Sequence, residues 1–283
     1  MSVRVRDVLM GRLEELRYEP CGKRIRATLE GRTVVDSTRA VLLWEPRRVV
    51  PSYAVPRDDV AGELVAIPSS PAMATESIGL RLPDVTRLPI LDPSIPFDVH
   101  TADGQPVEVR AGAGGRAGAA FRLADADLSG HVVLDFAGFD EWHEEDERIV
   151  SHPRDPFHRI DVLPSSRRVR LERDGHVLAE SSRPYLLFET LLPVRFYLPR
   201  EDVRVELSAS PTRTYCAYKG EASYWSPDVG GTAVRDLAWS YQDPLHDALR
   251  IAGLVAFFDE RVDVVLDGVR RERPTTPWSD RAG

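Results

Sequence analysis

Cysteine, lysine and long apolar runs are scarce in this sequence, and each shortage bears on the class of protein it can encode. Only two of the 283 residues are cysteines, Cys21 and Cys216, so a disulfide framework is excluded. The longest apolar run, residues 251–258, is far shorter than the roughly 20 residues of a membrane-spanning helix. Three charged residues among the first seven interrupt any signal-peptide core. We therefore expect a cytoplasmic protein that does not associate with membranes.

Arginine has almost replaced lysine: Lys23 and Lys219 are the only lysines among 37 basic residues. A GC-rich genome accounts for this preference without a functional reason. The net charge is −8 at pH 7, and an acidic chain is repelled by phosphate backbones, so we expect no nucleic-acid partner. Lysine, unlike arginine, can lose its proton and act as a nucleophile, so a lysine stands out in this chain.

The chain contains an internal repeat. Residues 24–45 read RIRATLEGRTVVDSTRAVLLWE, and residues 168–189, 144 positions later, read RVRLERDGHVLAESSRPYLLFE. After a slip of one residue, PRDDV at 56–60 returns as PREDV at 199–203. Matching residues in the same order and spacing over two blocks indicate two copies of one domain.

The repeat predicts how the chain is organised. We expect an N-terminal helix, a degenerate first copy, a linker, an intact second copy and a tail, with the boundaries 1–22, 23–149, 150–166, 167–271 and 272–283. The linker contains His152 and His158, but its prolines impose extended geometry and no Cys-x-x-Cys pair accompanies them, so we expect no metal. The chain also lacks a P-loop, a Rossmann fingerprint and a hydrolase nucleophile elbow, and we expect no cofactor.

Most of each copy shows the alternation of half-buried antiparallel strands. Apolar and polar residues alternate over 169–173, 203–207 and 262–266, and Asp174 and Gly175 supply a hairpin turn. We therefore predict a mainly β protein, in which each copy is mostly strand with one short helix.

Three segments depart from this alternation. Residues 5–17 place apolar side chains on one stripe and predict a helix, and Asp243 predicts the cap of a second helix that runs toward Gly253. Nine of the ten residues of 111–120 are alanine or glycine, and this segment predicts a mobile loop.

The segment 212–226, TRTYCAYKGEASYWS, holds the candidate chemistry. A turn at Gly220 would bring Lys219 near Cys216, and a neighbouring ammonium lowers the pKa of a thiol. Alternatively, an aromatic pocket containing Tyr224 and Trp225 would desolvate Lys219 and make it a nucleophilic amine. A purely structural role, with the thiol packed in the core and the lysine on the surface, stays open beside both.

A second candidate is the pair Arg195 and Tyr197, because the first copy has Ser52 and Ala54 at the aligned positions. Arg195 is suited to hold a carboxylate or phosphate. A surface arginine on a strand edge is the alternative.

Several of these motifs, in order, resemble a bacterial family known as domain of unknown function (DUF) 427. They are TxTxCxYKGxASYWS at 212–226, DLAWSYxDPL at 236–245, IAGLVAFF at 251–258 and, before them, HPRDPFHRIDVLPSSR at 152–167. The resemblance implies a β-tent-like fold, in which two antiparallel sheets meet over a small pocket. Some β-tent proteins bind zinc through cysteine pairs, which this chain lacks. The family also has a nucleotidyltransferase-like label that no residue here supports, and Ala217 replaces the proline usual after the motif cysteine.

We predict a small-molecule pocket in the second copy, with Cys216 and Lys219 as its anchoring or reactive groups. Its predicted ligand-binding residues are Arg195, Tyr197, Tyr218, Tyr224, Trp225, Trp239 and Tyr241. The alternative is a structural or protein-interaction module without catalysis. The oligomeric state and the reaction, if there is one, stay open.

Overall fold

The computed structural model describes residues 2–68, 79–80, 82–85, 88–92, 95–111 and 114–279. The chain divides into two compact units: residues 1–80 with 87–155, and residues 81–86 with 156–283. Strands account for 47% of the residues and helices for 9%, which confirms the predicted mainly β class. Within the described residues, none of the helices has the length and apolar character needed to cross a membrane.

The first unit contains one short α-helix and thirteen described strands. They are α1 Val5–Met10, β1 Arg17–Pro20, β2 Ile25–Leu29, β3 Arg32–Ser37, β4 Val41–Trp44, β5 Ser52–Pro56, β6 Glu63–Ala66, β7 Gly79–Leu80, β8 Ile90–Leu91, β9 Gly104–Ala111, β10 Gly114–Leu123, β11 His131–Leu134, β12 Glu141–Glu144 and β13 Glu147–Ile149. Its sheets have the orders β1-β4-β5-β11-β10-β9-β6, β13-β12-β2-β3 and β7-β8. Short 3-10 helices cover Arg57–Asp59 and Phe136–Gly138.

The second unit contains twelve described strands. They are β14 Ile160–Pro164, β15 Val169–Arg173, β16 His176–Ser181, β17 Tyr185–Glu189, β18 Arg195–Tyr197, β19 Leu207–Cys216, β20 Gly220–Val229, β21 Thr232–Ala233, β22 Ala238–Tyr241, β23 Ala256–Phe257, β24 Asp263–Leu266 and β25 Val269–Arg270. Its sheets have the orders β14-β17-β18, β16-β15-β24-β25 and β19-β20-β22-β23, with β21 beside β20. The 3-10 helices Pro83–Val85, Arg200–Asp202 and His246–Ile251 accompany them.

The predicted hairpin at Asp174 and Gly175 is present, and the first unit repeats it at Glu30 and Gly31. All four residues have positive φ, between 50° and 81°, as a two-residue type I′ turn requires. This turn twists in the same sense as the strands it joins, so β15 pairs with β16 and β2 pairs with β3. The repeated sequence therefore folds in the same way in both units.

A polar corner is also repeated, and we call it the Ser–Arg–Asp bracket. In the first unit the Asp59 carboxylate accepts hydrogen bonds from Ser37, at 2.6 Å, and from Arg39. The Ser37 Oγ also accepts a bond from the backbone N–H of Arg39. In the second unit the same bonds join Ser181, Arg183 and Asp202. The bracket ties the end of one strand to the 3-10 helix that follows the next two strands.

Both predicted helices are shorter than expected. The helix predicted over 5–17 ends at Met10, and Arg17–Pro20 instead pair with Val41–Trp44 as an edge strand. No residue of α1 is buried, so its apolar stripe has no core to pack against, and packing is what stabilises helices in proteins. The second predicted helix is a 3-10 helix that covers only His246–Ile251.

The segment predicted as a mobile loop is a strand. Residues 114–120 belong to β10, which pairs with β9 and β11, while residues 112 and 113 lie outside the described part of the chain. The backbone is crowded at one position of this strand, because a Cβ added to Gly138 would lie 2.9 Å from Ala119. Glycine and alanine therefore serve close packing at this position.

Two segments predicted to be a linker and a tail contain parts of the second unit. Residues Ile160–Pro164, within the predicted linker 150–166, pair with β17 over five residues. Within the predicted tail 272–283, Thr276 is buried and the ring of Trp278 packs against the core. The second unit therefore extends beyond the repeated sequence at both ends.

Candidate functional site

Lys219 occupies the three-residue connection between β19 and β20. Cys216 and Gly220 face each other in register at the strand ends, and Gly220 has φ of +88°, which the tight reversal requires. The lysine side chain turns inward: the residue is 8% exposed, and Nζ donates hydrogen bonds of 2.7 and 2.6 Å to the two carboxylate oxygens of Glu189. Lys219 is therefore half of a buried ion pair.

Glu189 ends β17, and a histidine lies on its other side. The Nε2 of His158 lies 3.1 Å from Glu189 Oε1, and the imidazole stacks on the ring of Tyr218 at 4.4 Å. Burial alone would raise the pKa of Glu189, but the charge of Lys219 and the contact with His158 outweigh it and lower the pKa to about 2. Glu189 is a carboxylate at neutral pH.

This pairing bears on the nucleophilic role considered for Lys219. Burial acts to lower the pKa of Lys219, but the neighbouring Glu189 carboxylate dominates and raises it. The amine is therefore a fixed ammonium and is not activated as a nucleophile. Lys219 also interacts electrostatically with Cys216 and Tyr197.

Strand geometry places four predicted site residues on one face of the β19-β20-β22 sheet. Tyr224 pairs with Trp239, and Ala222 pairs with both Tyr241 and Thr214, two residues before Cys216. Aligned residues, and residues two apart on a strand, share a face. The bond of 3.0 Å between Thr214 Oγ1 and the Tyr224 hydroxyl confirms this assignment. The shared face is formed by Cys216, Tyr224, Trp239 and Tyr241.

Trp225 does not join them. It follows Tyr224 on the strand and so points to the opposite face, where its Nε1 donates to Ser240 at 2.9 Å. The guanidinium of Arg200 lies 4.3 Å from its ring centre. Adjacent residues of one strand cannot both form the wall of one pocket, so the structure separates Trp225 from Lys219.

Tyr197 and Tyr241 complete the polar part of the cluster. The Nε1 of Trp239 donates to the Tyr197 hydroxyl at 3.0 Å. Tyr241 is 5% exposed and interacts electrostatically with Tyr197, Cys216 and Glu189. Burial raises the pKa of both phenols, so both keep their protons at neutral pH.

Arg195 is buried in the second unit, but a carboxylate of the chain already occupies it. Its two terminal nitrogens donate to Glu260 at 2.8 and 2.6 Å, and the rings of Trp239 and Trp278 lie 5.7 and 5.8 Å from the guanidinium. Asp259 lies farther away, at 3.8 Å. The predicted binding of an external carboxylate or phosphate by Arg195 would therefore have to displace Glu260.

Sequence reasoning missed four charged or titratable members of this region, namely His158, Glu189, Asp259 and Glu260. The repeat carried a signal for one of them, because Glu189 matches Glu45 at the end of the repeated block. A glutamate after an apolar strand is ordinarily read as a surface residue, but Glu45 and Glu189 have side chains only 1% and 7% exposed. The other three lie outside the repeated blocks.

The first unit keeps the buried glutamate and surrounds it differently. Glu45 accepts hydrogen bonds from the backbone N–H groups of Thr101 and Ala102, at 2.6 and 2.9 Å, and the Nδ1 of His100 lies 2.7 Å away. The His100 ring stacks on Phe121 at 3.8 Å. No lysine takes part in these contacts.

The other lysine of the chain pairs elsewhere in the first unit. Lys23 Nζ lies 2.5 Å from Glu144, whose second oxygen accepts a bond of 2.6 Å from Tyr53. At the positions of Tyr53 and Glu144 the second unit has Phe196 and Leu266, and these two residues belong to its apolar core. Among the described residues, no group of three or more His, Cys, Asp or Glu side chains could hold a metal ion.

Comparison with models of protein families gives a match over two segments of the chain. The model of a protein family described as a domain of unknown function (DUF427) matches residues 17–74 and 161–268, more than half of the chain. The longer segment contains Glu189, Cys216, Lys219 and the shared aromatic face. A search of the curated proteins finds no match.

Proposed function

The chain belongs to the DUF427 family, and we propose that its second unit binds a small molecule beside the Lys219–Glu189 ion pair, with Cys216 and Lys219 as anchoring or reactive groups. The observation that carries this proposal is the buried pair itself. Removing two charges from water costs several kcal/mol per ion, and well-packed apolar residues would serve stability as well. The first unit satisfies Glu45 without a lysine, so the shared fold does not require the pair.

The surroundings of the pair have the usual composition of a ligand site. Tyr197, Tyr218, Trp239 and Tyr241 are buried and offer aromatic surface with a few polar groups. Tyr224 lies on the same face, half-buried. Trp225 is not part of the proposed site. Arg195 borders it, because its guanidinium lies over the ring of Trp239 while it is hydrogen-bonded to Glu260.

The two central residues have different roles in this proposal. Lys219 provides a fixed positive charge, because Glu189 keeps it protonated. Cys216 is a free, partly exposed cysteine, and its sulfur is the nucleophilic group of the proposed site.

Alkylation of the two cysteines tests whether Cys216 is an accessible site residue. Treatment of the folded chain with iodoacetamide, followed by peptide mass spectrometry, reports Cys216 and Cys21 in one sample. We expect faster alkylation of Cys216, because burial raises the pKa of Cys21. Equal rates, or an inert Cys216, would favour the structural or interaction module instead.

A ligand-stabilisation screen is the complementary measurement. The Tm of the wild type and of Cys216→Ala is measured with aldehydes, carboxylic acids and alcohols of three to six carbons. A ligand that prefers the native state raises the Tm by mass action, and we expect at least one to do so in the wild type more than in the variant. Cys21→Ala is the matched control and should respond as the wild type does.

A further inference from the structure

The last described residues of the chain, 274–279, form a segment that we call the C-terminal strap. Within the described residues, no β-strand pairs with it. Side chains attach it to the second unit: Thr276 Oγ1 donates to Glu260, and Arg261 Nε donates to the carbonyl oxygen of Trp278 at 2.9 Å. A terminal segment held in this way opens at a lower free energy than a central strand of a sheet does.

The strap places the ring of Trp278 on the guanidinium of Arg195. The guanidinium carbon lies 5.8 Å from the centre of this ring and 5.7 Å from that of Trp239. Both terminal nitrogens of Arg195 already donate to Glu260. The flat faces of a guanidinium stack on aromatic rings even when its edge is engaged in this way. The surface beneath Trp278 is therefore suited to a flat ring and not to an anion.

The strap has a counterpart at the end of the first copy. Strand β13 ends at residue 149 and is followed by PRDPF at 153–157, and strand β25 ends at residue 270 and is followed by PTTPW at 274–278. The pattern of two prolines and an aromatic residue therefore begins at the same distance from the last strand of each copy.

The two aromatic residues of this pattern are placed differently. Phe157 is 67% exposed, whereas Trp278 packs against the core of the second unit. The first unit also has Ser52 at the position of Arg195. Because the pattern occurs with an exposed ring where the arginine is replaced, the seated ring is a property of the Arg195 surface and is not required by the shared fold.

We propose that the surface formed by Arg195 and Trp239 takes a planar aromatic group of the ligand, and that Trp278 occupies this surface while no ligand is bound. This inference rests on the proposed function and gives its ligand a chemical class. Trp278 is then an internal competitor, which the ring of the ligand displaces as the strap opens. The apparent affinity for the ligand is reduced in proportion to the fraction of molecules whose strap is open.

Two alcohols of nearly equal size test this subsite: benzyl alcohol, which has an aromatic ring, and cyclohexylmethanol, its saturated counterpart. The Tm of the wild type, Trp278→Gly and Phe157→Gly is measured with each. Loss of the competing ring in Trp278→Gly should strengthen the binding of benzyl alcohol at least about tenfold. Phe157→Gly is the matched control, because it removes an exposed ring from the same pattern, and it should respond as the wild type does. Equal stabilisation of Trp278→Gly by both alcohols would show only a cavity and overturn the proposal.

Hydrogen exchange in the wild type tests displacement without relying on a variant. The backbone N–H groups of Trp278 and Ser279 donate to the side chain and the carbonyl oxygen of Thr276. Benzyl alcohol should make both exchange faster, while the amides of β22 exchange no faster than before. Unchanged or slower exchange of the strap, at concentrations that raise the Tm, would show that Trp278 is a fixed part of the core and overturn the proposal.

Alkylation of Cys216 separates this proposal from the function on which it rests. An inert Cys216 together with a displaced strap would overturn the proposed function and leave an aromatic subsite. A reactive Cys216 together with an undisplaced strap would overturn the aromatic subsite alone.

Discussion

Lys219 and Glu189 depend on each other because both are withdrawn from water. Glu189→Gln should leave an ammonium buried beside a neutral amide, and we expect the free energy of unfolding to fall by about 3–5 kcal/mol in urea titrations. Glu180→Gln is the control, because Glu180 forms its ion pair with Arg168 at the surface. This variant should lose no more than about 1 kcal/mol of its free energy of unfolding. The double variant Glu189→Leu/Lys219→Met should recover most of the stability; a loss as large as that of the single variant would contradict this account.

Asp259 should make the free energy of unfolding depend on pH. Burial raises its pKa to about 7, so the folded protein holds a proton that the unfolded chain releases near pH 4. Stability is therefore lost as the pH rises from about 4 to 7, and this loss is complete above pH 7. Asp259→Asn should remove it, so the variant should gain stability over the wild type at pH 8 relative to pH 4.5, measured by urea unfolding at both.

Glu189 works in the other direction, since its pKa is lowered and its contribution to stability is lost as the pH falls from about 4.5 toward 2.

Asp267→Asn is the control for Asp259→Asn. Asp267 is exposed, and its ion pair with Arg167 lowers its pKa instead of raising it. A wild type and an Asp259→Asn variant with parallel pH profiles would show that Asp259 is ionised throughout.

At the scale of elements, the β9–β10 hairpin should be among the protected parts of the first unit. Val107 and Val109 on β9 are fully buried, as is Ala119 on β10. We expect amide hydrogens of residues 104–111 and 116–123 to exchange as slowly as those of β4 in hydrogen-exchange mass spectrometry. The surface strand β1, whose residues are largely exposed, is the internal reference for fast exchange. Exchange in the hairpin as fast as in β1 would indicate a mobile loop.

The elements show which physical signals a sequence carries. Alternation and the Asp174–Gly175 turn predicted β15 and β16, because a period of two and a positive-φ turn are local properties. Strand β10 differs from the predicted loop because alanine and glycine have no strand preference of their own, and the close approach of Gly138 to Ala119, which accounts for one of them, is a tertiary contact. The helix predicted over 5–17 is longer than α1, because an apolar stripe does not show whether a core is present for it to pack against.

The candidate site likewise has features that local sequence shows and features that depend on tertiary packing. The cluster of Cys216 and Lys219 in one turn was readable from their spacing. Whether that spacing makes a binding site stays a prediction. The buried partner of Lys219 was not readable, because Glu189 lies 30 residues away along the chain and meets it through tertiary packing. Trp225 was assigned with Tyr224 although strand geometry sends neighbours to opposite faces.

At the scale of the whole molecule, the second unit should fold without the first copy. A fragment of residues 152–283 should unfold in one cooperative thermal transition followed by circular dichroism. The fragment lacks Leu82 and Val85, two buried residues that belong to the second unit, so its Tm should lie below that of this unit in the full chain. A fragment without a cooperative transition would contradict the prediction.

Because the Ser–Arg–Asp bracket is present in both units, aligned positions of the two units can be compared as two versions of one domain. Both copies of the repeated domain use the same bracket bonds, and the aligned positions that differ are compatible with the same β-strand pairings. Two aligned positions differ in charge. The first unit has the uncharged Ser52 where the second has Arg195, and the charged Glu144 where the second has Leu266. Each half thus serves as a tolerated variant of the other, and grafting aligned side chains from one half to the other is a rational first library for redesigning either.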